Sequence, residues 1–160
     1  MTDIAFKIAW DRRDQALMDE VKAFWTASEL MVPRLLDERA GQLGVVACDG
    51  DRIVATATAE LAVLPGLRAR FAVISIAVDP QSRRKSIGLR ISGRFLTVLE
   101  EWSAAHPEEE VMGMAAVIEG DWGAKMHEPI WPDWGLNIVL AGYTHRNQQI
   151  RISWFRHARV

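Results

Sequence analysis

Apolar and polar positions change their period several times along the chain, and each change marks an element. Ile4–Trp10 alternates as a half-buried strand does. From Asp11, read as a helix N-cap, the spacing lengthens, and Leu17, Val21, Phe24 and Trp25 fall on one helical face. Pro33 suits the first turn of a short second helix that stops at Gly41. Leu43–Cys48 and Ile53–Leu61 are strand-like runs joined by Asp49-Gly50-Asp51, a hairpin signal. Leu64-Pro65-Gly66-Leu67 then turns the chain into a strand over Ala69–Val78, which Asp79-Pro80 ends.

Helical spacing resumes at Ile87, Ile91, Phe95, Leu99 and Trp102, predicting a helix from Ile87 to about Ala105 that stops before Pro107. Val111–Val117 reads as a strand. Glu119–Gly135 is irregular, with a short helix expected around Gly123–His127. Leu136–Ala141 and Gln149–Phe155 close the chain as a hairpin around Thr144–Asn147. The order is strand, two helices, three strands, helix, strand, short helix, two strands. It predicts a mixed α/β (α+β) fold with a mostly antiparallel central sheet flanked by helices. With no repeat or linker to divide it, 1–160 reads as a single domain.

Composition changes this picture little. Hydrophobic residues make up 49% and charged ones 25%, an ordinary globular balance. No apolar run approaches the roughly 20 residues of a membrane span, and the N-terminus lacks the basic-then-apolar order of a secretory signal. The single cysteine, Cys48, excludes an intramolecular disulfide and suits a reducing cytosol, so a cytoplasmic protein is expected. The four histidines have no ligand-like spacing, and no metal site is expected. A net charge of −2 argues against a nucleic-acid partner. The distribution of charge says more. Arg83, Arg84, Lys85, Arg90 and Arg94 lie between Pro80 and Arg94 with no acidic residue among them. A strand that delivers a basic turn into a helix N-terminus brings unpaired amides and the positive end of the helix dipole to one spot, which suits phosphate.

The stretch Arg83-Arg84-Lys85-Ser86-Ile87-Gly88, placed after Val78-Asp79-Pro80, resembles the Gln/Arg-x-x-Gly-x-Gly/Ala signature of the GNAT N-acetyltransferase superfamily. Arg83 matches its first position and Gly88 its last, while Ser86 replaces the first glycine. The resemblance implies acetyl-CoA as cosubstrate, its pyrophosphate held by backbone N–H groups of Arg84, Lys85, Ser86, Ile87, Gly88 and Leu89, with Arg83 adding charge. Ile76, Ala77 and Val78 would hold the pantetheine arm and polarise the thioester, the fourth and fifth strands splaying to admit it. A primary amine would then attack the thioester directly. If the Ser86 position requires positive φ, serine there costs roughly 1 kcal/mol of strain.

Residues for the proton transfers are less distinct. Glu119, at the exit of the fifth strand, is the base candidate, against the plainer reading of a helix N-terminal carboxylate beside Asp121. Glu60 on the third strand is a second carboxylate that could face the site. The tyrosine that the family uses as an acid is missing. Asp121 stands for the family's asparagine, and the only tyrosine, Tyr143, falls in the last hairpin. His127 could replace the acid, against a surface or capping role. Among the seven tryptophans, Trp10, Trp25 and Trp102 read as core, whereas Trp122, Trp131 and Trp134 crowd the irregular segment. Those three could form a substrate wall, a pinned loop or a homodimer interface. Arg151, Arg156, His157 and Arg159 read as a solvated tail or a contact for an acidic partner. The expected function is transfer of an acetyl group from acetyl-CoA to an amine. The alternative is a catalytically weak or inactive protein on the same scaffold, serving as an interaction or CoA-binding module.

Overall fold

The periodicities translate into elements nearly residue for residue. In a computed structural model describing residues 3–120, 125–131 and 136–160, the strands are β1 (Ile4–Ile8), β2 (Leu43–Asp49), β3 (Arg52–Leu64), β4 (Ala69–Val78), β5 (Val111–Val117), β6 (Ile130–Trp131), β7 (Ile138–Tyr143) and β8 (Gln149–Trp154). The described helices are α1 (Gln15–Ala27), α2 (Leu36–Gly41) and α3 (Ile87–Ala105). Short 3₁₀ turns occupy Pro33–Leu35, Pro80–Lys85 and Pro107–Glu109, each opened by a proline whose missing N–H costs nothing there.

One eight-stranded sheet runs in the order β1-β2-β3-β4-β5-β8-β7-β6. β1–β2, β2–β3, β5–β8, β6–β7 and β7–β8 are antiparallel, and β4–β5 is parallel over Arg70–Val73. The mixed, mostly antiparallel sheet matches the expectation.

Local expectations are corrected at the α1 cap and at β6. Asp14, not Asp11, caps α1: its carboxylate accepts from the Leu17 N–H at 3.1 Å, while Asp11 sits at φ +61° in the turn leaving β1. The chain must first reverse out of the strand, and the left-handed Asp11 and Arg13 do this before the helix starts. β6 was not expected, because a two-residue strand between prolines carries no periodicity. Of the short helix expected around Gly123–His127, Gly123 and Ala124 lie outside the described residues, and Met126 and His127 are not helical.

The chain packs as two compact units. The first comprises Met1–Ala59 and Ser75–Val98. Its core joins Leu17, Val21 and Trp25 of α1 to Leu43, Val46, Cys48 and Ile53, and the buried Trp25 indole N–H donates to Thr56 Oγ1 at 2.9 Å. β2 is buried without alternation from Leu43 to Cys48, the pattern of a strand covered on both faces. Gly44 lets α3 approach closely: a methyl group there would overlap the Phe95 ring, which Trp10 also meets edge-on at 5.7 Å between centroids. Gly44→Ala is therefore expected to destabilise the protein by about 2–3 kcal/mol, measured by urea unfolding, because the Phe95 ring is fully buried. Burial pushes the Cys48 thiol above its ordinary pKa and keeps it neutral.

The second unit comprises Glu60–Ile74 and Leu99–Val160. Phe71, Ala115 and Ile152 form its core, and Gly113 lies so close to the Ser153 carbonyl and the Phe71 ring that a side chain could not enter. Arg151 is the main correction here. It is 1% exposed rather than part of a solvated tail. Its guanidinium donates to the Glu128, Pro129 and Met126 carbonyls at 2.8, 3.3 and 3.0 Å and to Gln149 Oε1 at 2.8 Å. It also lies 3.8 Å from the Trp131 ring centroid. Burial lowers its pKa from the usual arginine value, but so many donors in use keep it charged. His157 is likewise docked, its Nε2 3.2 Å from Ser103 Oγ. Ser103 spends its proton on the Val111 carbonyl at 2.6 Å, so this serine–histidine contact is a clasp and not an activated nucleophile.

Candidate functional site

The basic turn lies wholly within the first unit and is built outward from the end of β4. Phe71, Ala72 and Ile74 are buried, Ser75 is exposed, and Ile76, Ala77 and Val78 are half-buried as the strand leaves the core. Ala77 packs against the first unit's core, which fixes the strand's last turn-out. Asp79 then holds the chain from several sides. Its N–H donates to the Val54 carbonyl at 2.8 Å. Its carboxylate accepts from Arg52 Nη1 at 2.9 Å and from the Gln81 N–H and Ser82 Oγ at 3.4 Å each. Asp79 and Ser82 are both buried.

The 3₁₀ turn ends at Ser86, whose φ of +54° and ψ of 23° are left-handed. The condition attached to this position is thus met. The chain needs a left-handed residue to leave the 3₁₀ turn and enter α3, and serine supplies it at a strain of roughly 1 kcal/mol. Ser86→Gly is accordingly expected to raise stability by about 0.5–1 kcal/mol in urea unfolding, the relief of strain exceeding the added freedom of the unfolded chain.

The Ser86 carbonyl accepts the Arg90 N–H at 3.2 Å, opening the α3 ladder. The Ile87, Gly88 and Leu89 N–H groups stand ahead of that ladder, at the positive end of a 19-residue helix with no acid in its first turn. Ile87 is buried and anchors the turn. Gly88 is different: a Cβ there would meet only Val78 Cγ2 at 4.0 Å, so nothing in the fold requires a glycine. Arg83, Arg90 and Arg94 are exposed, with Arg90 5.7 Å over the Phe6 ring. The Arg84 and Lys85 side chains lie outside what the structure describes.

The structure therefore brings Val78, Ser86, Ile87, Gly88 and Leu89 to one place. Glu119 is exposed two residues beyond β5 in the second unit, and Glu60, His127 and Tyr143 are exposed as well. Trp131 belongs to the buried Arg151 cluster, and Asp121, Trp122 and Trp134 lie outside the described residues. Sequence reasoning missed the Arg52–Asp79–Ser82 network, since Asp79 read only as a strand stop and its partner is 27 residues away. Among the described residues no cluster of histidine, cysteine and carboxylate suits a metal ion, and no helix is long and apolar enough to cross a membrane.

No family model and no curated protein matches the chain. Solved structures match over nearly its full length. The ribosomal-protein-S18-alanine N-acetyltransferase of Escherichia coli is 12% identical with a TM-score of 0.62, over 98% of this chain and 97% of that one. A GNAT-family acetyltransferase of Streptococcus pneumoniae is 11% identical with a TM-score of 0.56, over 95% and 99%. The protein yncA of Salmonella typhimurium, solved with its cofactor acetyl-CoA, is 14% identical with a TM-score of 0.55, over 98% and 96%. The chain has the fold of the GNAT acetyltransferases.

Proposed function

We propose that residues 1–160 act as one cytosolic, CoA-dependent N-acyltransferase domain that moves an acetyl group from acetyl-CoA to a primary amine. The carrying observation is the turn itself. A left-handed Ser86, a Gly88 that the fold does not need, and three helix-leading amides follow β4 at the spacing of a pyrophosphate cradle. The fold adds support, because yncA was solved with acetyl-CoA.

In this reading the Ile87–Leu89 amides and the turn before them hold the pyrophosphate, and Arg83 adds charge from its exposed position. The half-buried end of β4, Ile76–Val78, pairs with the pantetheine amides, and a backbone N–H there polarises the thioester carbonyl. The neutral amine attacks that carbon, forming the C–N bond. The amine proton leaves to Glu119 through water, a route suited to an exposed carboxylate. Collapse of the adduct breaks the C–S bond and releases CoA thiolate, which takes its proton from solvent. A thiolate leaves readily, so the missing tyrosine is no obstacle.

Thermal unfolding with acetyl-CoA, followed by thiol release over a panel of amines, tests this. Ligand at a hundred times Kd stabilises by about 2.7 kcal/mol. No shift at saturating acetyl-CoA and no thiol release overturn the reading; a shift without turnover favours the non-catalytic alternative.

A further inference from the structure

We propose that Arg52 and Asp79 are a positioning pair for the phosphate turn, placing Ser86–Leu89 and cancelling the carboxylate at the turn's entrance. The inference rests on the acetyl-CoA reading above. Asp79 joins the end of β4 to Pro80 and decides where the 3₁₀ turn begins. Its backbone is tied to Val54 of β3 by N–H donation at 2.8 Å, and its carboxylate caps the turn through the Gln81 N–H and the buried Ser82 hydroxyl. Six residues of 3₁₀ turn then carry that placement to Ser86.

The same carboxylate carries a hazard. Asp79 is the last acid before a stretch without one that reaches Glu100, and its side chain is 10% exposed, so solvent screens it poorly. Unpaired, it would oppose a polyanion arriving at the next turn. Arg52, the first residue of β3, answers this with Nη1 at 2.9 Å from Asp79 Oδ2, while its own side chain remains 55% exposed. The fixed member is the carboxylate; the arginine reaches over from the hairpin tip to neutralise it. Arg52 thus acts through Asp79 and not by touching ligand.

Acetyl-CoA titration by calorimetry of wild type, Arg52→Ala, Arg52→Lys, Asp79→Asn and the Arg52→Ala/Asp79→Asn double variant separates positioning from plain stability. Arg52→Ala is expected to weaken binding about fivefold, and Arg52→Lys to retain most of it. The double variant recovers affinity relative to Arg52→Ala, because asparagine keeps an acceptor for Gln81 and Ser82 without the charge. A merely structural pair would make the double variant bind no better than either single one. That result, or wild-type affinity in Arg52→Ala, overturns the proposal while leaving acetyl-CoA binding intact. Absence of binding by the wild type instead removes the acyltransferase reading, and this inference with it.

Discussion

Replacing Gly88 by aspartate is expected to lower acetyl-CoA affinity by at least about a hundredfold, close to 3 kcal/mol, while leaving Tm unchanged or raised. The two signs come from separate causes. A side chain at Gly88 has open space, its nearest neighbour being Val78 Cγ2 at 4.0 Å, and the residue lies in the first turn of α3. Glycine is a poor helix residue, and a carboxylate near a helix N-terminus is favourable by about 0.3–1 kcal/mol. The fold therefore gains or is indifferent. The ligand meets a fixed negative charge among the amides that would receive its phosphates. Gly88→Ala isolates the steric part: stability should rise by about 0.5–1 kcal/mol while affinity falls less than with aspartate. Thermal unfolding with and without acetyl-CoA reads both quantities at once. Undiminished binding by Gly88→Asp would put the pyrophosphate elsewhere.

Arg151→Ala is expected to destabilise the protein by about 3 kcal/mol in urea unfolding, and Arg151→Lys to recover little of it. Two effects compete at this residue. Burial of the guanidinium is costly, as its lowered pKa reflects, and truncation removes that cost. Against this stand the donors to Met126, Glu128, Pro129 and Gln149 and the stacked Trp131 ring. The bonds win because truncation takes the Arg151 donor from the Glu128 carbonyl and from Gln149 Oε1. Leu140 still serves Pro129 and Gln149 still serves Met126, but the Glu128 carbonyl loses its Arg151 donor and Trp131 loses a flat face to cover it. A lysine reaches one acceptor and stacks poorly. Wild-type stability in Arg151→Ala would mean that water restores every lost bond.

These expectations differ in how early they could be seen. The α3 boundaries and β5 were legible residue for residue, because a helical face or a buried strand is written in neighbours a few positions apart. The candidate turn was legible for the same reason: Asp79, Pro80, Arg83 and Ser86 all fall between Val78 and Gly88, and a strand-turn-helix junction is a local object. Reading Asp11 as the cap failed because a strand reversal had to come first, which the polar run Asp11–Asp14 does not reveal. β6 failed because a two-residue strand exists only through its pairing with β7.

Charge was the poorest guide. Arg151 reads like any basic residue near a chain end, yet it is buried against carbonyls up to 25 residues away. Asp79 reads like a strand stop, yet its partner Arg52 lies 27 residues back. By itself the sequence determined the order of elements and the basic turn, since both rest on short-range periodicity and spacing. Only the tertiary structure decided that Ser86 is left-handed, that Gly88 is free of the fold's demands, and that Asp79 is ion-paired with Arg52. Those depend on where distant segments meet, and no local pattern encodes that meeting.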